Sequence, residues 1–177
     1  MQNEPFTSID VLITHLEAWS DQASVEVEGL TELDHGLQCA ETLAAQSPDD
    51  AELAIAGLVH DIGHKITSPE THAEDGAALL EGLLGSRVAA IVGLHVAAKR
   101  YLVTTDPDYR ALLSPGSVET LRMQGGDMTP DEVAAFEARP WWQDAVRLRR
   151  ADEAAKVVGR TTRGLSDWLP KLHQLAG

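Results

Sequence analysis

The chain has a single cysteine, Cys39, among 177 residues. That excludes an intramolecular disulfide and suits a reducing compartment. It is also short of positive charge: 14 Lys and Arg stand against 28 Asp and Glu, for a formal net charge of -14 at pH 7. A surface of that sign repels nucleic acid and anionic membranes, so neither is expected as a partner. The opening "MQNEPFTSID" has neither the basic flank nor the apolar core of a signal peptide. The longest apolar stretch, "VAAIVGLHVAA" from Val88 to Ala98, is broken by a histidine and falls short of the ~20 residues of a membrane span. No internal repeat, low-complexity tract or composition break marks a linker, so one domain over residues 1–177 is expected. These absences leave a cytoplasmic enzyme or binding module.

What is present is helix signal. "TSIDVLITHLEAW" carries Ile9, Leu12, Ile13, Leu16 and Trp19 at helical spacing behind a Thr/Ser cap. "SPDDAELAIAGLVHDIGH" offers Ser47 as cap with Pro48 at the first helical position, and "SPET", "SPGSVE" and "TPDE" repeat the device. Thr129 and Glu132 have capping-box spacing. Separate helices are expected through "HAEDGAALLEGLL", "SRVAAIVGLHVAAKRYL", "VETLRMQ", "DEVAAFEA", "WWQDAVRLRRADEAAKVVG" and "LSDWLPKLHQL". Only "YLVTT" tempts as a strand. The fold class is all-α.

Inside this helical pattern lies "LVHDIGH", residues 58–64. On a helix His60 and His64 share a face with Asp61 beside them. Neutral imidazole and carboxylate are ligand types that suit divalent iron, zinc or manganese. A lone buried His is more simply satisfied by a backbone partner, so the metal reading needs further ligands. His15 and His173 lack supporting neighbours, whereas His35, His72 and His95 lie in or beside helical stretches. His95 sits among apolar residues, which favours the neutral, metal-binding form. Asp152 has Arg149 three positions before it and Lys156 four after, and alone it reads as a salt-bridged helix surface.

The order His, His-Asp, late Asp resembles the HD-domain superfamily, whose ligands come from separate helices of a helical bundle. The resemblance implies a quartet of His35, His60, Asp61 and Asp152. The intervening His72 and His95 imply a dinuclear site at the bundle's centre, with Asp61 bridging the metals. A closer likeness runs through "LDHGLQCA", "LVHDIGH", "THAEDGAALL", "LHVAAKRYL", "DPDYRALLSPGSVETLRMQGGDM" and "RLRRADEAAK". These stretches are similar to the mixed-valent di-iron oxygenases that cleave the carbon–phosphorus bond of 1-hydroxyphosphonates.

That likeness implies two iron ions as an Fe(II)/Fe(III) pair and O2 as co-substrate. Lys99, Ser117, Arg149 and His64 match phosphonate contacts, His64 and Lys99 being the catalytic candidates; Glu28 stands where the family places an acid that reads a substrate amine. A family tyrosine that covers the second iron has Val25 in its place. Guanidinium, ammonium and hydroxyl groups suit a phosphonate dianion on chemical grounds. Ordinary alternatives for Lys99 and Arg149 are a snorkelling side chain and a helical ion pair. Trp141 and Trp142 read as core, or as an aromatic cage for a trimethylated ammonium. The implied substrate is therefore 2-amino- or 2-trimethylammonio-1-hydroxyethylphosphonate, and the products are glycine or glycine betaine plus phosphate. A separate hydroxylase would supply it. The alternative is a dinuclear HD phosphohydrolase of a small phosphoester or nucleotide, and a third reading is a metal-stabilised module without turnover.

Overall fold

The structure is a computed structural model that describes residues 4–24, 27–64, 68 and 70–176. In chain order the helices are α1 (Ile9–Ala18), α2 (Glu32–Gln46), α3 (Ala51–Val59), α4 (His72–Thr105), α5 (Pro107–Leu112), α6 (Pro115–Met123), α7 (Pro130–Glu137), α8 (Trp142–Ala154) and α9 (Leu169–Leu175). Two short 3-10 turns follow α1 and precede α9. Among the described residues there is no strand, only an isolated bridge between Ala23 and Thr31. The all-α reading holds.

Helices α2, α3, α4 and α8 pack on one another around the main core. Leu43, Leu53, Ile55, Leu58, Ile62, Leu80, Ile91 and Leu148 are wholly buried there. Each such side chain contributes about 1.5–3 kcal/mol. Helices α1 and α9 close one side through Leu12, Leu16, Trp168 and Leu172. Smaller clusters seat α5 to α7 against α4 and α8, one around Tyr109 and Leu121, another around Phe136 and Ala145.

Local chemistry explains most helix ends. The Ser8, Ser114 and Thr129 hydroxyls accept backbone N–H groups of the first turns, the last within a complete capping box. One expected cap is displaced. Ser47 closes α2, while Asp50 caps α3 by accepting the Leu53 N–H at 3.1 Å. Of "SPET", Pro69 lies outside the described residues, and α4 starts instead behind Thr71 without a side-chain cap.

The two helices expected over residues 72–102 form one 34-residue helix, kinked at Gly85 with φ +85° and ψ 167°. Nothing would touch a Cβ there, so the requirement for glycine is torsional. Long and apolar enough to cross a membrane, α4 is nonetheless a core helix carrying buried His72, His95 and Lys99. Its last turn takes up "YLVTT".

Candidate metal centre

"HDIGH" is not helical. Helix α3 ends at Val59, and residues 60–64 form a turn closed by Ile62 N–H to Val59 O at 3.1 Å and His64 N–H to Asp61 O at 2.9 Å. The expected shared helix face gives way to a tight loop. Gly63 permits it: a Cβ there would lie 2.1 Å from the His72 carbonyl oxygen. The turn thus presses His60 and Asp61 against the start of α4.

Asp61 is the centre. Its Oδ2 faces His35 Nε2 at 3.5 Å and His60 Nε2 at 3.2 Å. Its Oδ1 faces His72 Nε2 at 3.8 Å and His95 Nε2 at 3.6 Å. Asp152 Oδ1, from α8, completes the first group at 3.2 Å from His35 and 3.8 Å from His60. All these side chains are buried. The carboxylate therefore has one oxygen turned to each of two histidine sets, the arrangement of a bridging ligand.

The donor set fits metal ions. Nδ1 donates to a backbone carbonyl from His35 (Ala155, 3.2 Å), His60 (Gly57, 2.9 Å) and His95 (Val92, 2.7 Å). A carbonyl only accepts, so Nδ1 carries the hydrogen and the neutral ring turns an Nε2 lone pair towards the carboxylates. Lone pairs facing carboxylate oxygens in a buried site call for a cation between them. His72 and His95 likewise bring their Nε2 atoms to 3.1 Å of one another.

Titration behaviour agrees. Burial pushes the Asp61 and Asp152 carboxyls up, but neighbouring His60 and His64 for one, and Arg149 and Lys156 for the other, hold both well below the usual range. Burial works against charging His35, yet Asp152 and Asp61 outweigh it and raise its pKa to about 10. A proton there and a metal ion are competing occupants of one negative site. For His95, burial and then His72 and His60 push the pKa well down.

Beside Asp61 lies a small cavity of about 10 Å³ whose described walls are Asp61, His64, His72, His95, Val96, Lys99, Gln124, Arg149 and Asp152. His64 Nε2 is 3.5 Å from Asp61, and its ring centroid is 4.1 Å from that of His72. Lys99 donates to Thr120 Oγ1 at 2.7 Å. Arg149 donates from Nε to Tyr109 Oη at 2.7 Å and pairs with Asp152. Ser117 is wholly buried behind Arg149, 3.0 Å from Nη2.

Other expectations fall elsewhere. Glu28 is exposed, in the turn before Gly29, and Val25 lies outside the described residues. Trp142 packs on Tyr101 and Phe136 as core, and Trp141 is partly exposed. Neither tryptophan is among the described cavity walls. Lys156, whose spacing from Asp152 suggests a helix surface, has its side chain buried beside Asp152 and Glu153. Sequence reasoning passed over Glu32 altogether. It is 2% exposed and brings a carboxylate oxygen within 4.8 Å of Asp61 and His64; its position three before His35, one helical turn away, was the available signal.

The family model described as HD domain matches residues 33–132 of this chain. The chain belongs to the HD-domain family. Asp152 lies beyond the matched segment of this HD domain, and the fold returns it to the centre through α8. Curated relatives extend the likeness. The [1-hydroxy-2-(trimethylamino)ethyl]phosphonate dioxygenase (glycine-betaine-forming) of Leisingera caerulea is 36% identical over 84% of this chain and 80% of its own length. The hydroxymethylphosphonate dioxygenase of Gimesia maris is 40% identical over 80% and 75%. A mimivirus protein, L432 of Acanthamoeba polyphaga mimivirus, is 31% identical over 78% and 68%.

Proposed function

We propose that this HD domain is a di-iron oxygenase that cleaves the carbon–phosphorus bond of a small 1-hydroxyphosphonate. One observation carries the reading: a carboxylate with one oxygen facing each of two histidine sets lines a cavity whose walls also include Lys99 and Arg149. The named dioxygenase relatives support it, because both act on phosphonates. The reaction balances without an external reductant: a hydroxyl-bearing carbon attached to phosphorus, plus O2, gives a carboxylate and phosphate.

His35, His60 and Asp152 would hold one iron, His72 and His95 the other, and Asp61 both. Bound there, the Fe(II)/Fe(III) pair supplies the redox chemistry with O2. The chain's own work is orientation. Lys99 and Arg149 neutralise the phosphonate and fix its direction, with Ser117 holding Arg149 from behind. His64, at the cavity edge, reaches the substrate's phosphonate or hydroxyl. Burial keeps bulk water from these contacts and strengthens them.

The relatives differ in substituent, one carrying a trimethylamino group and the other only hydrogen on the hydroxymethyl carbon. Trp141 and Trp142 lie outside the described cavity walls, which speaks against them as a cage for a trimethylammonium. Recognition through the shared hydroxyl and phosphonate is the reading that fits the described walls, with 2-amino-1-hydroxyethylphosphonate and its trimethylated relative as the extended candidates. A cytoplasmic hydroxylase acting before this enzyme would make such a compound.

The test is anaerobic loading with iron, then oxygen uptake and phosphate release on a panel of hydroxymethyl-, 2-amino-1-hydroxyethyl- and trimethylated phosphonates. Oxygen consumed in step with phosphate released is expected for at least one. Phosphoester hydrolysis with manganese and no oxygen uptake on any of the three would falsify the oxygenase reading.

A further inference from the structure

Helix α8 and the segment just past its end direct four charged side chains inward, from Arg149, Asp152, Glu153 and Lys156, none more than 8% exposed. Asp152 faces the metal site and Arg149 the cavity. Glu153 and Lys156 are among neither the candidate metal groups nor the described cavity walls. They are tied together one layer behind. Glu153 Oε2 accepts from Arg149 Nη2 at 2.5 Å, from Ser117 Oγ at 2.8 Å and from Lys156 Nζ at 3.1 Å. Its Oε1 accepts the Ser114 backbone N–H at 2.6 Å, at the cap of α6. Lys156 donates to Ser117 Oγ at 2.8 Å and stands 3.5 Å from Asp152 Oδ1.

A buried ion cluster of this kind is poor value as a stabiliser, since well-packed apolar side chains of the same volume often do as well or better. What it supplies is direction. A guanidinium is planar, and its donors act as a rigid fork. With Nε on Tyr109 Oη and Nη2 on Glu153 and Ser117, the plane of Arg149 is fixed before any ligand enters. Lys156 fixes Ser117 and Glu153 in turn.

We propose that Glu153 and Lys156 are positioning residues of the anion site: they act through Arg149 and Ser117 and set the orientation in which a bound phosphonate or phosphate is met. This rests on reading the cavity as an anion site. Arg149 and Lys156 are matched in charge by Asp152 and Glu153, so the cluster adds geometry more than net attraction. Pure electrostatics predicts the opposite sign for Glu153→Gln, because removing a negative charge near the cavity favours an anion.

The experiment measures inorganic phosphate binding to metal-loaded protein by calorimetry, with metal content and melting temperature taken on the same samples. Glu153→Gln is expected to weaken phosphate binding roughly tenfold, as for one charge-assisted hydrogen bond in a buried site. Lys156→Met, which leaves the Glu153 bonds to Arg149 and Ser114 in place, gives a second reading in the same direction should the first variant fold poorly. Both should keep their metals. Unchanged or tighter phosphate binding in the folded variants overturns the proposal, as does a metal-loaded wild type that binds no phosphate. Oxygen uptake judges the reaction separately: phosphate binding that falls as stated, in an enzyme that consumes no oxygen, leaves the positioning roles standing and removes the oxygenase.

Discussion

A residue's chemistry was legible in proportion to how few alternatives its type allows. His35, His60, Asp61, His72, His95 and Asp152 could be collected from sequence because their order resembles that of the HD-domain ligands, and the fold gathers the four histidines around Asp61 with Asp152 beside His35 and His60. Residues behind them were not legible. Glu153 and Lys156 lie three and four positions from charged neighbours, a pattern that exposed helices also show; only tertiary packing distinguishes the two. Glu32 was masked by Glu28, the acid that family position favoured and that the structure places in an exposed turn. The division of ligands between the two oxygens of Asp61 yields a sharp expectation. His72→Ala and His95→Ala should each hold close to one metal per chain after loading and desalting, against two for wild type. The retained ion should sit in the His35, His60 and Asp152 group. Metal analysis checks this, and loss of both ions in either variant would contradict the division.

At the scale of elements, most helices were legible but α5, which no expected helix covers, was not, and helix ends were read less well because ends depend on contacts that periodicity does not report. Continuation of α3 through "HDIGH" fails since Gly63 lets the chain turn against His72. Asp50 caps α3 in place of Ser47, and Asp50 also accepts hydrogen bonds from Nη1 and Nη2 of Arg87, each at 2.7 Å. Arg87 further reaches Glu52 at 3.0 Å and Asp144 at 2.9 Å, so one side chain of α4 clamps α3 and α8. Its side chain is 21% exposed, between the surface and buried cases. Arg87→Met should therefore cost about 1–3 kcal/mol in urea unfolding without changing metal content. Helix α1 carries a pH-sensitive contact. His15 is set edge-on between Phe6 at 5.6 Å and Trp19 at 6.0 Å, and its buried Nε2 has no hydrogen-bond partner among the described residues. Burial lowers its pKa below 6.5. Above that value the ring is neutral folded or unfolded; as pH falls through it the unfolded chain takes the proton first, and stability is lost down to the lower folded pKa. His15→Phe keeps a ring between its neighbours and should lose less melting temperature than wild type between about pH 7.5 and about pH 5.5.

For the whole molecule, the question is how a chain of formal net charge -14 recruits a doubly charged anion. The fold separates the two scales. Lys99 and Arg149 are buried at the cavity together with the metal-binding set, where low dielectric strengthens their pull at contact distance. The excess of acid acts from outside over a Debye length, and it repels an approaching phosphonate before the cavity is felt. Composition alone exposed that conflict but not its resolution, since net charge carries no information about depth. Approach and release should respond to salt unequally. Screening lowers the outer barrier, so the association rate of inorganic phosphate, or kcat/KM for the hydroxyphosphonate, should rise about twofold from low salt to physiological ionic strength. Contacts already inside the cavity are screened far less, so dissociation should change little over that range. Stopped-flow association across a potassium acetate series separates the two terms. A rate that falls steadily with salt would mean that the local cations already govern the approach, and the outer acidic surface would then have no kinetic part.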